Sequence, residues 1–176
     1  TYNSEVAEFA LNNGFAIIND ISSGKYDSKL IDVVKDYNAG YVIMHMEGDP
    51  DNMQKKPAYN NVVDSIYTFF NSKINELENI NIKNIIIDPG FGFGKTIDHN
   101  FEILRNLERF KEFKKPLLAG ISRKSMIYKF LNTIPSKALN GTSVLNTIAL
   151  NNGADILRVH DIIEAKECLA LFNKLN

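Results

Sequence analysis

Polar and charged side chains follow short apolar segments at five points along the chain. They include Asn19, His45, Asp88, Lys124 and Arg158. An amide, an imidazole, a carboxylate, an ammonium and a guanidinium can together bind and orient a polar heterocycle or an anion. A helix cap or a salt bridge is the ordinary explanation for any one of them. Five in succession favour a functional site, because charges beside apolar segments are costly unless they are paired or used.

The glycine-rich segment Asp88-Pro-Gly-Phe-Gly-Phe-Gly-Lys95-Thr96 invites comparison with a nucleotide-binding P-loop. A P-loop requires a glycine five positions before Gly94, where this chain has Pro89, which lacks a backbone N–H group. The glycines also lack the spacing of a dinucleotide-binding loop. We therefore predict a loop whose backbone passes close to a flat ligand, with Phe91 and Phe93 as apolar walls. A loop that merely turns a corner is the alternative.

The three histidines, His45, His99 and His160, do not have the spacing of a metal site. His99 is predicted to begin a helix, and His45 is as well explained by a core imidazole as by a functional one. His160 differs because Arg158 lies two residues before it, on the same face of a predicted strand. The two side chains can converge on one anion such as a phosphate. An ion pair with an internal carboxylate is the competing use of Arg158.

Composition excludes several classes of protein. The chain has 176 residues, of which 44% are hydrophobic and 23% charged, as in a globular domain with a sizeable core. Its net charge of -1 gives no indication of a nucleic-acid or membrane partner. The single Cys168 excludes a disulfide framework and is compatible with a reducing compartment. We therefore expect a cytoplasmic protein.

The elements that must position these residues are predicted from hydrophobic periodicity. Apolar segments at 15–18, 41–44, 84–87, 116–119 and 155–159 indicate buried strands, and segments with helical spacing separate them. A helix followed by five strand–helix units implies parallel strands, in an open Rossmann-like sheet or a barrel. Both architectures place their sites at the carboxyl ends of the strands. The chain is shorter than the roughly 250 residues typical of a (β/α)8 barrel.

Several short segments of the sequence together resemble the dihydropteroate synthase family of the folate pathway. They occur in the family's order across nearly the whole chain, which we interpret as a single pterin-binding domain over residues 1–176. The resemblance implies a (β/α)8 TIM barrel, represented here by about five C-terminal β/α units. The segments are Ile17-Ile-Asn-Asp-Ile21, Met44-His-Met-Glu-Gly-Asp-Pro50 with Met53-Gln54, Ile87-Asp-Pro-Gly-Phe-Gly-Phe-Gly-Lys95, Gly120-Ile-Ser-Arg-Lys-Ser125, Asn140-Gly-Thr142 and Leu157-Arg-Val-His-Asp161.

The resemblance also implies an activity. Enzymes of this family join 6-hydroxymethyl-7,8-dihydropterin diphosphate to 4-aminobenzoate and release pyrophosphate, with Mg²⁺ as cofactor and sulfonamides as inhibitors. It further implies a homodimer, for which helices near 98–113, 138–151 and 161–174 are the candidate surface. No nucleic-acid or membrane partner is expected.

The family's functional residues can be carried over position by position. For the aminobenzoate the resemblance implies Ser122 and Lys124, and for the diphosphate Arg158 and His160. Lys124, Arg158 and His160 are the implied catalytic residues. The implied pterin-binding residues are Asn19, Met44, Asp88, Phe93, Lys124 and Arg158.

The chain departs from the family pattern at its start. The first two barrel strands, a pterin-binding Asp and the Asn that helps bind the metal would all precede Thr1, so we expect no metal ligand in this chain. We interpret the chain as a fragment that is inactive alone. Two alternatives stay open: a methyltetrahydrofolate-type pterin-binding methyltransferase and a noncatalytic pterin-binding remnant. The segments 122–125 and 158–160 favour the synthase, since a diphosphate must be held.

Overall fold

The structure is a computed structural model and describes residues 1–49, 53 and 57–175. Pro50 and Gln54, which belong to the family segments quoted above, lie outside the described residues. The strands are β1 (Ile17–Asp20), β2 (Gly40–Met44), β3 (Ile85–Asp88), β4 (Leu118–Ala119) and β5 (Ile156–Leu157). The helices are α1 (Ser4–Asn12), α2 (Lys29–Asp36), α3 (Val62–Asn79), α4 (Ile97–Arg105), α5 (Ser125–Tyr128), α6 (Leu139–Asn151) and α7 (Ile162–Leu175). This order confirms the predicted helix followed by five strand–helix units.

All the paired strands are parallel and follow one another in chain order. β1, β2 and β3 form one sheet, and β4 and β5 form another. A parallel bridge between Ile87 and Leu117 joins β3 to the chain just before β4. The carboxyl ends of the five strands therefore lie along one rim, as in a segment of a barrel.

The central strands are buried on both faces, which explains their continuous apolar sequences. Every residue of β3 is buried, and so are the residues of β2 after Gly40. The long helix α3 covers them with a stripe of apolar residues at helical spacing. That stripe includes Val62, Ile66, Phe70, Ile74 and Leu77. Among the described residues, no helix has both the length and the apolar character needed to cross a membrane.

The first strand begins two residues later than predicted. The backbone N–H of Phe15 donates to the carbonyl of Ala10 at 3.1 Å, so this residue still closes α1. Phe15 is 66% exposed. Gly14, with φ of 89°, makes the reversal between the helix and the strand possible. Pairing therefore starts at Ile17, and the strand extends far enough to include Asn19.

The loop between β3 and α4 packs directly on the segment that follows β2. Gly90 has a φ of 72°, and a Cβ atom there would overlap the carbonyl oxygen of His45. The loop ends at Thr96, whose side chain forms a capping box with His99, so the prediction that His99 begins a helix is confirmed. Phe91 is fully buried in the core, so its interpretation as a ligand-facing wall is wrong.

Candidate functional site

Three polar side chains from different strands meet at the carboxyl rim. The Arg158 guanidinium donates through Nη1 to Oδ1 of Asn19 at 2.9 Å and through Nη2 to Oδ2 of Asp88 at 2.7 Å. Asp88 is completely buried, and it is the last residue of β3. Arg158 follows β5 directly, so the barrel curvature brings it across to β1 and β3. Arg158 thus forms the ion pair with an internal carboxylate that was the alternative to anion binding.

The local backbone is built to admit this arrangement. The second oxygen of Asp88, Oδ1, accepts the backbone N–H of Gly90 at 2.8 Å. A Cβ atom on Gly120 would lie 2.5 Å from Nη2 of Arg158, so any side chain there would displace the guanidinium. Both carboxylate oxygens of Asp88 therefore have hydrogen-bond donors, which offsets the cost of burying this side chain.

Lys124 approaches the same group from the loop after β4. Its Nζ donates to the carbonyl of Phe91 and lies 4.6 Å from the centroid of the Phe93 ring. Burial lowers the pKa of Lys124 to about 8; the Asp88 carboxylate opposes this shift and Arg158 adds to it. The predicted convergence of Asn19, Asp88, Lys124 and Arg158 is therefore observed. Their roles toward a ligand stay predictions.

A second lysine lies beneath the glycine-rich loop. Nζ of Lys95 is 2.9 Å from the carbonyl oxygen of Phe93, 3.1 Å from that of His45 and 3.1 Å from Nδ1 of His45. Burial lowers the pKa of Lys95 to about 7, and burial followed by the Lys95 charge lowers that of His45 to about 3. His45 is thus a buried core imidazole. The sequence alone gives no sign of this contact, because the residues Gly94-Lys95-Thr96 resemble the end of a P-loop.

His160 pairs with Ser122 across the loops that follow β4 and β5. Oγ of Ser122 lies 3.0 Å from Nδ1 of His160 and accepts the backbone N–H of the same residue at 3.2 Å. Ser122 is buried and His160 is exposed. With Nδ1 engaged, Nε2 is the ring nitrogen left to bind a ligand in either the neutral Nε2–H tautomer or the charged form. Arg158 and His160 thus have different partners here, although they were predicted to converge on one anion.

A bidentate ion pair flanks the Ser122–His160 contact. Nε and Nη2 of Arg123 donate to the two carboxylate oxygens of Asp161 at 2.9 and 2.7 Å. Nη1 of Arg123 donates to the carbonyls of Pro135 and Ser136 at 3.1 and 2.9 Å. The Arg123 hydrogen bond lowers the pKa of Asp161. Arg123 is not among the predicted site residues, and its place between Ser122 and Lys124 is the one feature of the sequence that points to it.

The remaining predicted residues lie at the edges of this group. Phe93 is partly exposed beside Lys124, as expected for a wall of a site. Met44 is buried, and its Cγ lies 3.2 Å from the position that a Cβ on Gly90 would occupy. Within residues 1–49, 53 and 57–175, no three His, Cys, Asp or Glu side chains group closely enough to hold a metal ion. Magnesium stays a prediction, since this ion is usually held by one or two protein ligands together with substrate phosphates.

Comparison with known proteins agrees with this geometry. The family model described as "Pterin binding enzyme" matches residues 1–160. A bifunctional dihydropteroate synthase/dihydropteroate reductase of Helicobacter pylori is 39% identical over 175 residues, which are 99% of this chain and 46% of that protein. The crystal structure of the Yersinia pestis dihydropteroate synthase in complex with a sulfonamide drug is 34% identical, with a TM-score of 0.96 over 99% of this chain and 64% of that one.

A third comparison concerns a structure solved with 4-aminobenzoate. The dihydropteroate synthase of Thermus thermophilus is 31% identical, with a TM-score of 0.93 over 100% of this chain and 69% of that one. These TM-scores confirm the prediction of a partial (β/α)8 barrel. The chain spans about half the length of the Helicobacter pylori relative. On the family match and these structural similarities, the chain belongs to the family of pterin binding enzymes.

Proposed function

We propose that the protein is a dihydropteroate synthase, which joins 6-hydroxymethyl-7,8-dihydropterin diphosphate to 4-aminobenzoate and releases pyrophosphate. The observation that carries the proposal is the meeting of Asn19, Asp88, Lys124 and Arg158 at one rim of the strands. These groups supply acceptors for the ring and cations for an anionic leaving group. The names of the relatives support the same reaction.

Pterin recognition depends on the buried carboxylate of Asp88. The amino and N–H edge of a pterin offers two parallel donors, which a carboxylate accepts in bidentate fashion. The Arg158 guanidinium presents a similar pair of donors to Asp88 and Asn19. On binding, the pterin takes over the Asp88 oxygen that Arg158 now contacts. The guanidinium then turns toward the diphosphate, beside the Nε2 donor of His160.

The chemistry is a displacement at the pterin methylene carbon. The bond between this carbon and the diphosphate oxygen breaks, and its electron pair leaves with pyrophosphate. The positive charge left on the methylene delocalises into the pterin ring, so no nucleophilic side chain is needed. The amine of 4-aminobenzoate then forms the new C–N bond and loses a proton to solvent or pyrophosphate. Arg158 and His160 accelerate the step because they stabilise the charge that develops on the leaving group.

The aminobenzoate lies on the side of Lys124 and Ser122. The face of the Phe93 ring, already in contact with the Lys124 ammonium, supplies an apolar wall for its aromatic ring. We propose that sulfonamides compete at this position, as inhibitors that resemble 4-aminobenzoate. The Yersinia pestis enzyme was solved with such a drug.

Three further proposals concern the whole protein. We propose that it is a homodimer, a cytoplasmic protein, and an enzyme that uses Mg²⁺. The exposed apolar residues on α6 and α7, such as Val144, Ile148 and Leu171, support the dimer. The single cysteine supports a reducing compartment. The use of Mg²⁺ is inferred from the resemblance to the family alone.

The test is turnover by the full-length gene product. Calorimetry measures binding of the pterin diphosphate, and a coupled assay measures pyrophosphate released when 4-aminobenzoate is added. A synthase binds the first substrate and releases pyrophosphate only with the second. Binding without release in the presence of 4-aminobenzoate would indicate a noncatalytic pterin-binding protein, and methyl transfer from methyltetrahydrofolate would indicate the methyltransferase. Either result would overturn the proposed reaction.

A further inference from the structure

Two neighbouring side-chain pairs join the loop after β4 to the loop after β5. Ser122 contacts His160, and the next residue in each loop forms the Arg123–Asp161 ion pair. The two pairs are therefore formed by consecutive residues on both loops. Because Asp161 is bonded directly to His160, an ion pair that fixes Asp161 also restricts the position of His160.

Arg123 is the fixed point of this arrangement. Its side chain donates four hydrogen bonds, two to the Asp161 carboxylate and two to the carbonyls of Pro135 and Ser136. Its backbone N–H donates to Oγ1 of Thr142 at 3.0 Å. Its φ of 53° is unusual for a residue with a side chain, so the surrounding bonds must hold it in place. The guanidinium thus ties both loops to the segment before α6.

The same ion pair also controls the charge next to His160. The Asp161 carboxylate is close enough to His160 for the two charges to interact. While Arg123 is bound, the carboxylate is neutralised by a bidentate partner. Without Arg123, an unpaired carboxylate would stand beside the imidazole and favour its protonated form.

We propose that Arg123 is a positioning residue for the synthase reaction, which holds His160 against Ser122 through its ion pair with Asp161. The reaction itself depends on the proposed function, but the coupling of Arg123 to His160 does not. Arg123 touches no reacting atom in this scheme. It fixes the direction in which His160 offers its Nε2–H donor to the diphosphate.

Nuclear magnetic resonance of the His160 ring nitrogens tests the coupling directly. In Arg123→Met we expect the Nδ1 resonance to lose the signature of its bond to Ser122, and the titration midpoint of His160 to move to higher pH. In the double variant Arg123→Met/Asp161→Asn the upward shift disappears, while the Ser122 contact stays weakened. Lys115→Met removes the Lys115–Glu78 ion pair, which lies before β4 and at the end of α3, on the side of the strands opposite both loops, and serves as the matched control.

Kinetics of the full-length gene product supply the second readout. We expect the KM for the pterin diphosphate to rise about tenfold in Arg123→Met, as when one hydrogen bond to a charged ligand is weakened. Lys115→Met is expected to stay within about twofold of the wild type, since it lies outside the site. If the wild type shows no turnover, the proposed function fails, whereas the resonance experiment still decides the role of Arg123.

An unchanged His160 spectrum and titration in folded Arg123→Met would overturn the proposal. If this variant does not fold, Asp161→Asn is the substitute, because it weakens the ion pair while the carbonyl bonds of Arg123 are kept. Asp161→Asn must then also weaken the Ser122–His160 contact. An Asp161→Asn protein with the wild-type contact would overturn the proposal equally.

Discussion

At the scale of single residues, the site depends on how buried charges are balanced. Asp88 has no exposed surface, and its oxygens are satisfied by Gly90 and Arg158. Lys124 stands beside it with a lowered pKa. A buried carboxylate with partners of this kind can accept hydrogen bonds from a ligand once Arg158 is displaced.

The first prediction concerns this carboxylate. Asp88→Asn replaces a charged acceptor with an amide that cannot accept two parallel N–H donors, so the affinity for the pterin diphosphate should fall by about 2 to 3 kcal/mol. Calorimetry on the full-length gene product measures the change. Asp64→Asn, at an exposed aspartate on α3, is the control. Equal affinities of the Asp88 and Asp64 variants would refute the assignment of Asp88.

The second prediction concerns the protonation of Lys124. Its pKa is lowered to about 8, so the ammonium is present below this pH and is lost as the pH rises through it. Because the proposed contacts require the charged form, kcat/KM for the pterin diphosphate should decline above about pH 8. Lys124→Arg keeps its charge at alkaline pH. This variant should lack the decline, even if its overall rate is lower; the same alkaline limb in both proteins would exclude Lys124 as its source.

At the scale of elements, the β3–α4 loop is held from two sides. Lys95 binds its inner carbonyls against the end of β2, and Lys124 binds the carbonyl of Phe91 from the β4 side. Gly90 lets the loop pass over His45 without a clash. The loop therefore depends on one close backbone approach as well as on the two lysines.

The third prediction tests this approach. Gly90→Ala places a methyl group against the His45 carbonyl and keeps a φ that alanine disfavours, so it should reduce the free energy of unfolding by more than about 2 kcal/mol. Gly14→Ala shares the positive φ, but a Cβ atom there meets nothing within 4 Å. It should cost only about 1 kcal/mol. Urea denaturation measures both, and similar losses would show that the loop can move away from His45.

The sequence predicts the elements better than their contacts. Continuous apolar segments predict β2 and β3 to within a residue, because burial on both faces leaves little choice of residue. The start of β1 is wrong because the N–H of Phe15 is used to close α1, which periodicity does not reveal. The contacts of Phe91 and Arg158 are harder to predict. Phe91 and Phe93 lie in the same loop, and the sequence gives no sign of which one faces the core. A guanidinium such as that of Arg158 can reach several partners.

At the scale of the whole molecule, apolar residues remain exposed on particular surfaces. Among the described strands, β1 and β5 are the outer ones, and Ile17 on β1 is 50% exposed while β3 is fully buried. On the outer helices, Ile148 and Leu171 are also exposed. Exposed patches of this kind are typical of surfaces that contact other protein segments.

The fourth prediction concerns the proposed homodimer. The full-length gene product should have twice the mass of one chain by light scattering. Leu171→Glu should shift it toward the monomer, because a charge on α7 would be buried in the interface. Ile80→Glu, at an exposed position just after α3, is the control. A monomeric wild type, or a dimer that tolerates Leu171→Glu, would rule out this surface.

The contact of Arg158 with Asn19 and Asp88 has a consequence for selectivity. The Arg158 guanidinium occupies the acceptors of Asn19 and Asp88 with a pair of N–H donors similar to those of a pterin, so it competes with a ligand for them. Under the proposed function, a heterocycle must offer Asp88 hydrogen bonds that replace the one from this guanidinium. If the proposed function holds, we expect ring systems with a carbonyl in place of the amino group to bind more weakly, because they offer one N–H donor fewer in exchange for the bond between Asp88 and Arg158.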